Sequence, residues 1–107
     1  MIDPISGATV MKEILTVAGP TPDPEYPGYP QAVREWCVNV VAIDPFTRSA
    51  IAHSEDGNVY RWNLGTNTLT QALTLTNGLG AAYTPTTIGV DGTVYIIANA
   101  TLFAIGN

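Results

Sequence analysis

Charge is scarce in this sequence of 107 residues: charged side chains make up 12%, four basic against nine acidic. No stretch gathers lysine or arginine, so a surface that tracks phosphates is missing and nucleic acid is excluded as an expected partner. The net charge of −5 favours solubility and says little else. Cysteine occurs once, at Cys37, which rules out an internal disulfide and leaves the redox compartment open. Histidine also occurs once, at His53. No apolar run approaches the ~18 residues needed to cross a bilayer, so no membrane span is expected. The opening Met1-Ile2-Asp3-Pro4 has no basic region followed by an apolar run, and no signal peptide is expected in the chain as given.

What remains is apolar and turn-rich. Hydrophobic residues reach 46%, too many for a disordered tail, and they stand among 10 glycines and 8 prolines. That mixture suits short strands joined by tight turns, an all-β fold.

A repeat organises the strands. Trp62 matches Phe103 and Leu64 matches Ile105, each pair 41 residues apart. Such spacing fits one four-stranded unit of ~40–45 residues and is too long for a single hairpin. The first copy divides into strands a (Cys37 to Ile43), b (Ser49 to Ser54), c (Asn58 to Leu64) and d (Thr68 to Thr76). Asp56-Gly57 joins b to c as a hairpin signal, and Gly65-Thr66-Asn67 turns c into d. In strand d the apolar Leu69, Ala72, Leu73 and Leu75 follow a broken period of two. The second copy supplies a (Ala82 to Ile88), b (Thr93 to Ala98) and c (Thr101 to Ile105), with Asp91-Gly92 as its a–b turn.

The N-terminal stretch complements that three-strand copy. Ile2-Asp3-Pro4-Ile5-Ser6-Gly7 resembles the turn after a strand c, and Ala8 to Val17 reads as a lone strand d. A helix over Val10 to Leu15 is the rival reading. Residues 19–30 hold five prolines, which forces extended, unpaired backbone and marks an insertion loop. The expected order is therefore strand d in 1–18, insertion loop in 19–35, a full a-b-c-d unit in 36–77, and a-b-c in 78–107.

These residues resemble the repeats of the pyrroloquinoline-quinone-type (quinoprotein-like) β-propellers. Repeats of that family carry a strand ending in Val-Asp-Pro-x-Thr-Gly, an apolar strand, Ser-x-Asp-Gly and an aromatic strand. Ile43-Asp44-Pro45-Phe46-Thr47-Arg48 and Ser54-Glu55-Asp56-Gly57-Asn58-Val59-Tyr60 match that pattern. Asp91-Gly92-Thr93-Val94-Tyr95 and Leu102-Phe103-Ala104-Ile105 match it again. The resemblance covers roughly two thirds of the chain. It implies an incomplete β-propeller of four-stranded antiparallel blades in the order d, a-b-c-d, a-b-c, and a periplasmic or extracellular setting. Arg48 stands where the family has glycine, and the tryptophan that docks neighbouring blades is missing. The calcium ligands, catalytic aspartate and quinone-lining residues of the cofactor-binding members cannot be placed, so no cofactor residue is carried over and no cofactor is expected.

Individual candidates are few. Asp44, Asp56 and Asp91 sit beside Pro or Gly, where a carboxylate satisfies turn N–H groups, and no Asp-x-Asp-x-Asp loop argues for calcium. A lone His53 builds neither a metal site nor a nucleophilic triad. It is expected to bond neighbouring backbone or face water. Cys37 reads as a small buried apolar side chain. Asn99-Ala100-Thr101 fits the N-glycosylation triplet at a b–c turn. Tyr26, Tyr29 and Trp36 flank the proline-rich insertion and form the candidate binding surface, against the plainer reading that they cover a rim.

Two blades imply more protein. A blade buries both faces against neighbours, and a pair leaves two faces bare. At about 25 cal/mol per Å2, ~500 Å2 uncovered on one face forfeits on the order of 12 kcal/mol. That rivals the ~5–15 kcal/mol net stability of a whole domain. The expected function is a non-enzymatic structural or protein-binding module that completes a propeller. Its partners are either the remaining blades of a longer propeller or further copies joined by strand exchange, three or four copies giving ~6 or ~8 blades. A fragment of a quinone-dependent dehydrogenase-like propeller is the first alternative, and a carbohydrate- or polymer-binding surface the second.

Overall fold

The computed structural model describes residues 2–9, 15–36, 41–76 and 85–106. These residues form two antiparallel sheets and no helix. The first sheet is the meander β1 (Ala42–Asp44), β2 (Ser49–His53), β3 (Asn58–Asn63) and β4 (Thr68–Thr74), each strand paired with the next. The second is β5 (Thr87–Ile88), β6 (Val94–Ala98) and β7 (Thr101–Ile105), in the same order.

Local chemistry explains the corners. Three five-residue segments, Asp3–Gly7, Asp44–Arg48 and Asn63–Asn67, close in one way. The leading side chain accepts the N–H two residues on, at 3.0 Å from Ile5, 3.0 Å from Phe46 and 2.9 Å from Gly65. The fifth residue is left-handed in each: Gly7 at φ 72°, Arg48 at 50° and Asn67 at 56°. Beyond the corner the partners are Asp44↔Ser49 and Asn63↔Thr68. In the N-terminal copy Asp3 N–H donates to Ala8 O at 2.8 Å, and Ile2 bridges Thr9. Arg48 thus occupies a backbone conformation that glycine adopts without steric cost.

The broken alternation in strand d has a physical cause. Between Arg61↔Gln71 and Trp62↔Leu69 the register shifts, leaving Thr70 as the extra residue of a bulge. Its hydroxyl donates back to Arg61 O at 3.3 Å. The bulge flips the phase, so Leu69 shares a face with Trp62 while Leu73 shares one with Val59.

The two sheets stack through a core of Ile51 and Val59 on one side and Val94 and Ile96 on the other, joined by Ala42, Leu75, Ile88 and Ile105. Register shows which faces meet. Trp62 pairs with Ala50, on the face of the first sheet turned away from the core. Phe103 pairs with Ile96, on the face of the second sheet turned into the core. Trp62 and Phe103, matched at a spacing of 41 residues, therefore point the same way along the stack. The sheets meet front to back.

Every residue of β2 is buried, because the segment 15–36 covers the far face of the first sheet. Trp36 packs edge-on against Tyr60 with ring centroids 5.3 Å apart. Its indole N–H donates to Val17 O at 3.0 Å, and Asn67 Nδ2 donates to Thr16 O at 3.1 Å. By contrast β4 is almost wholly exposed, since the three strands of the second sheet do not reach across it.

Several expectations need correction. The insertion is not unpaired. Pro22 bridges Val33, and three turns follow one another, with Tyr26 N–H bonded to Asp23 O, Tyr29 N–H to Tyr26 O and Ala32 N–H to Tyr29 O. Pro24, Pro27 and Pro30 each take the second position of a turn, where a fixed φ is an advantage and no N–H is needed. The lone N-terminal strand d has its central half on residues 10–14, outside the described residues. Of its described residues, Thr9 bridges Ile2, and the carbonyls of Thr16 and Val17 accept from Asn67 and Trp36. The rival helix falls mostly on 10–14 and the first strand a partly on 37–40, with Cys37, all outside the described residues. Within them β1 begins at Ala42 and β5 at Thr87.

Candidate functional site

The insertion that carries the candidate aromatics meets the first sheet at Glu35, whose carbonyl accepts from Ser54 Oγ and Glu55 N–H, and at the carboxylate of Asp56. Asp56, in the turn before β3, accepts from Thr21 Oγ1 at 2.6 Å, from the Tyr60 hydroxyl, and from Asn58 N–H at 2.8 Å. Burial pushes this carboxyl up, but the bonds from Thr21, Tyr60 and Asn58 outweigh it and hold its pKa below the usual range. Burial and the bond to Asp56 raise the Tyr60 phenol. At the other end Arg34 lies 3.6 Å from Asp23.

On this base the structure separates the three aromatics. Tyr26 and Tyr29 stand together, edge to face at 6.4 Å, and are 54% and 70% exposed. The turns that repeat every three residues put both rings on one side of the insertion. Trp36 is not with them. It is half-buried against Tyr60 with its indole N–H satisfied inside the chain. The signal for the tyrosine pair lay in the sequence as proline at every third position, 24, 27 and 30.

The turn carboxylates do what their neighbours suggest. Asp44 accepts from Phe46 N–H and from the Thr47 hydroxyl at 2.7 Å, and Asp91 accepts from Thr93 N–H at 3.0 Å. The Thr47 bond, above all, holds Asp44 below its ordinary pKa, and the Thr93 bond does the same for Asp91. Arg61 clasps the corner from the facing strand, reaching Ser49 Oγ at 2.7 Å, Thr47 Oγ1 at 3.0 Å and Gln71 Oε1 at 2.7 Å. Among the described residues no three His, Cys, Asp or Glu side chains gather as metal ligands.

His53 departs from expectation. It is 1% exposed, and neither ring nitrogen has a hydrogen-bond partner. Burial drives its pKa below the normal histidine value, opposed only in part by the charge of Asp56. The neutral imidazole acts as packing. Asn99 and Ala100 are exposed and both left-handed, at φ 48° and 58°, so the Asn99-Ala100-Thr101 triplet lies on a tight surface hairpin.

Two hollows remain. A cleft of about 380 Å3 runs between the sheets where β4 has no counterpart, lined by Ile51, Val59, Leu73, Val94 and Ile105 with Arg61 and Gln71 at its rim. A second hollow of about 450 Å3 lies between the β1–β2 and β5–β6 corners, flanked by the exposed tips Phe46 and Val90. The outer face of the second sheet shows Tyr95 and Leu102, 39% and 65% exposed. Among the described residues no helix is long and apolar enough to cross a membrane. No family model and no curated protein matches the chain.

Proposed function

We propose that the chain is a non-enzymatic structural module, two successive blades of the quinoprotein-like β-propeller type, that completes a larger ring of blades by binding protein. The observation that supports this most is the front-to-back stacking of the two sheets, in which Trp62 and Phe103 face the same way. Stacking of that kind does not close on itself in a pair. It leaves a bare face on the second sheet and continues wherever more blades are supplied. The uncovered β4 and the cleft beside it fit a second blade with three strands among the described residues. The corner shared by Asp3, Asp44 and Asn63 fits a chain built from one repeating unit.

A tandem duplication of the chain tests this reading. Stability of stacked repeats grows with each interface, so the duplicated chain at high dilution melts well above the single one. An unchanged midpoint contradicts the proposal.

One observation favours a second role on the same scaffold. Tyr26 and Tyr29 present an exposed aromatic pair on turns held rigid by three prolines. Sugars stack on such surfaces. Binding of a soluble polysaccharide that disappears in Tyr29→Ala supports the role, and no binding by the parent chain removes it.

A further inference from the structure

Tyr26 and Tyr29 meet at a corner. Their ring centroids are 6.4 Å apart and their planes stand at 77°, with both residues exposed. A sugar lies flat on one ring face at a time. Two faces set nearly at right angles turn their electron-rich sides toward a single compact group instead. A group about 5 Å from each centroid is within the ~6 Å reach of a cation–π contact with both.

The backbone holds this corner ready. Tyr26 N–H donates to Asp23 O at 3.2 Å, and Tyr26 O accepts from Tyr29 N–H at 3.1 Å. Tyr29 O accepts in turn from Ala32 N–H at 3.0 Å, so each tyrosine is fixed at the joint of two turns. Gly28 stands between them, with nothing within 4 Å of the place a side chain would take. Little freedom is lost when a ligand arrives, because Pro24, Pro27 and Pro30 have already restricted the segment.

Charge favours a cation there. Residues 19–35 carry Asp23, Glu25 and Glu35 against Arg34 alone, in a chain of net charge −5. Arg34 is occupied by Asp23 at 3.6 Å, whereas Glu25, beside Tyr26, forms no ion pair with a described residue. Ring faces are poor replacements for the water around a small ammonium ion. A quaternary ammonium has spread charge, an apolar shell and little hydration to lose, which suits it to aromatic corners.

We infer that the Tyr26–Tyr29 corner binds the trimethylammonium group of a choline-type compound, with the Glu25 carboxylate as the neighbouring opposite charge. Two rings and one exposed carboxylate make a half-open site, so the dissociation constant is on the order of millimolar. The site lies wholly within the insertion and is independent of how the sheets assemble.

Titration of the full chain with choline tests this through the ligand's N-methyl proton resonance. Ring currents move that resonance upfield, and the shift saturates. Dimethylbutanol, the neutral isostere with carbon in place of nitrogen, binds at least about threefold more weakly. Tyr26→Ala and Tyr29→Ala each weaken choline binding by about threefold or more, while Tyr29→Phe keeps the parent's affinity. Glu25→Gln weakens it by about twofold. Phosphatidylcholine vesicles distinguish the source: co-sedimentation that is lost in Tyr29→Ala assigns the group to a lipid headgroup, and none assigns it to a free solute.

No saturable shift, an equal affinity for the isostere, or a Tyr29→Ala chain that binds like the parent overturns the inference. Loss of binding in Tyr29→Phe, which leaves the turns undisturbed, overturns it as well. A parent that binds polysaccharide and ignores choline also overturns it and leaves the sugar role standing.

Discussion

Mild acid should weaken this protein through His53. His53 is 1% exposed, without a hydrogen-bond partner on either nitrogen, and its pKa is pushed below 6.5 by burial. The unfolded chain therefore takes up the proton first as pH falls. The contribution of the neutral ring is complete above pH 6.5 and is lost below it. One linked proton gives a slope of about 1.4 kcal/mol per pH unit, so lowering pH from 6.5 to about 5 removes at most roughly 2 kcal/mol. The aspartates do not confuse that window. Asp44, Asp56 and Asp91 are depressed from 3.8, so their contributions persist above that value and disappear only in stronger acid. Urea denaturation at fixed protein concentration between pH 7.5 and 5 measures the slope. His53→Leu keeps an apolar side chain there and removes two unpaired nitrogens, so its stability should be flat across the window and equal to or above the parent's at pH 7.5. The same slope in the variant, or a parent that gains stability on acidification, would mean that His53 is not the group responsible.

Three further effects follow from particular residues. Ala100→Gly turns a left-handed alanine at φ 58° into the favoured second residue of an Asn-Gly hairpin and should stabilise by about 1 kcal/mol in thermal melts. No gain would place the turn elsewhere in conformation. Ile96→Ala empties a fully buried position between the sheets and should cost about 2–5 kcal/mol, whereas a loss under 1 kcal/mol would mean the sheets do not pack there. Trp36→Phe removes the indole donor to Val17 while keeping a ring against Tyr60, for a loss of about 1 kcal/mol, and Tyr29→Ala should leave stability unchanged. Equal effects of those two would contradict the division between a packing tryptophan and an exposed tyrosine.

Strands and turns were legible in the sequence where the controlling chemistry is local. Asp56-Gly57 and Asp91-Gly92 mark two turns, with both glycines at φ 85°, and Thr101–Ile105 is the strand expected there. The irregular spacing of Leu69, Ala72 and Leu73 was visible, though only pairing with Arg61 and Trp62 reveals a bulge at Thr70. Burial of His53 was hidden because it depends on both faces of β2 being covered, one by the second sheet and one by the segment 15–36. The run Ser49-Ala50-Ile51-Ala52, free of charge and without alternation, was the available hint. Trp36 looked like a surface aromatic because its partner Tyr60 lies far along the chain. Among the insertion's prolines, a period of three distinguishes successive turns from extended backbone, and that period was there to be read.

Mass in solution as a function of concentration bears most directly on sheets that stack front to back and leave the outer face of the second sheet bare. On the proposed blade reading, the unaltered chain does not persist as a well-behaved single unit and gives assemblies larger than 11.3 kDa. A species of 11.3 kDa at every concentration, melting cooperatively and binding no apolar dye, would contradict it.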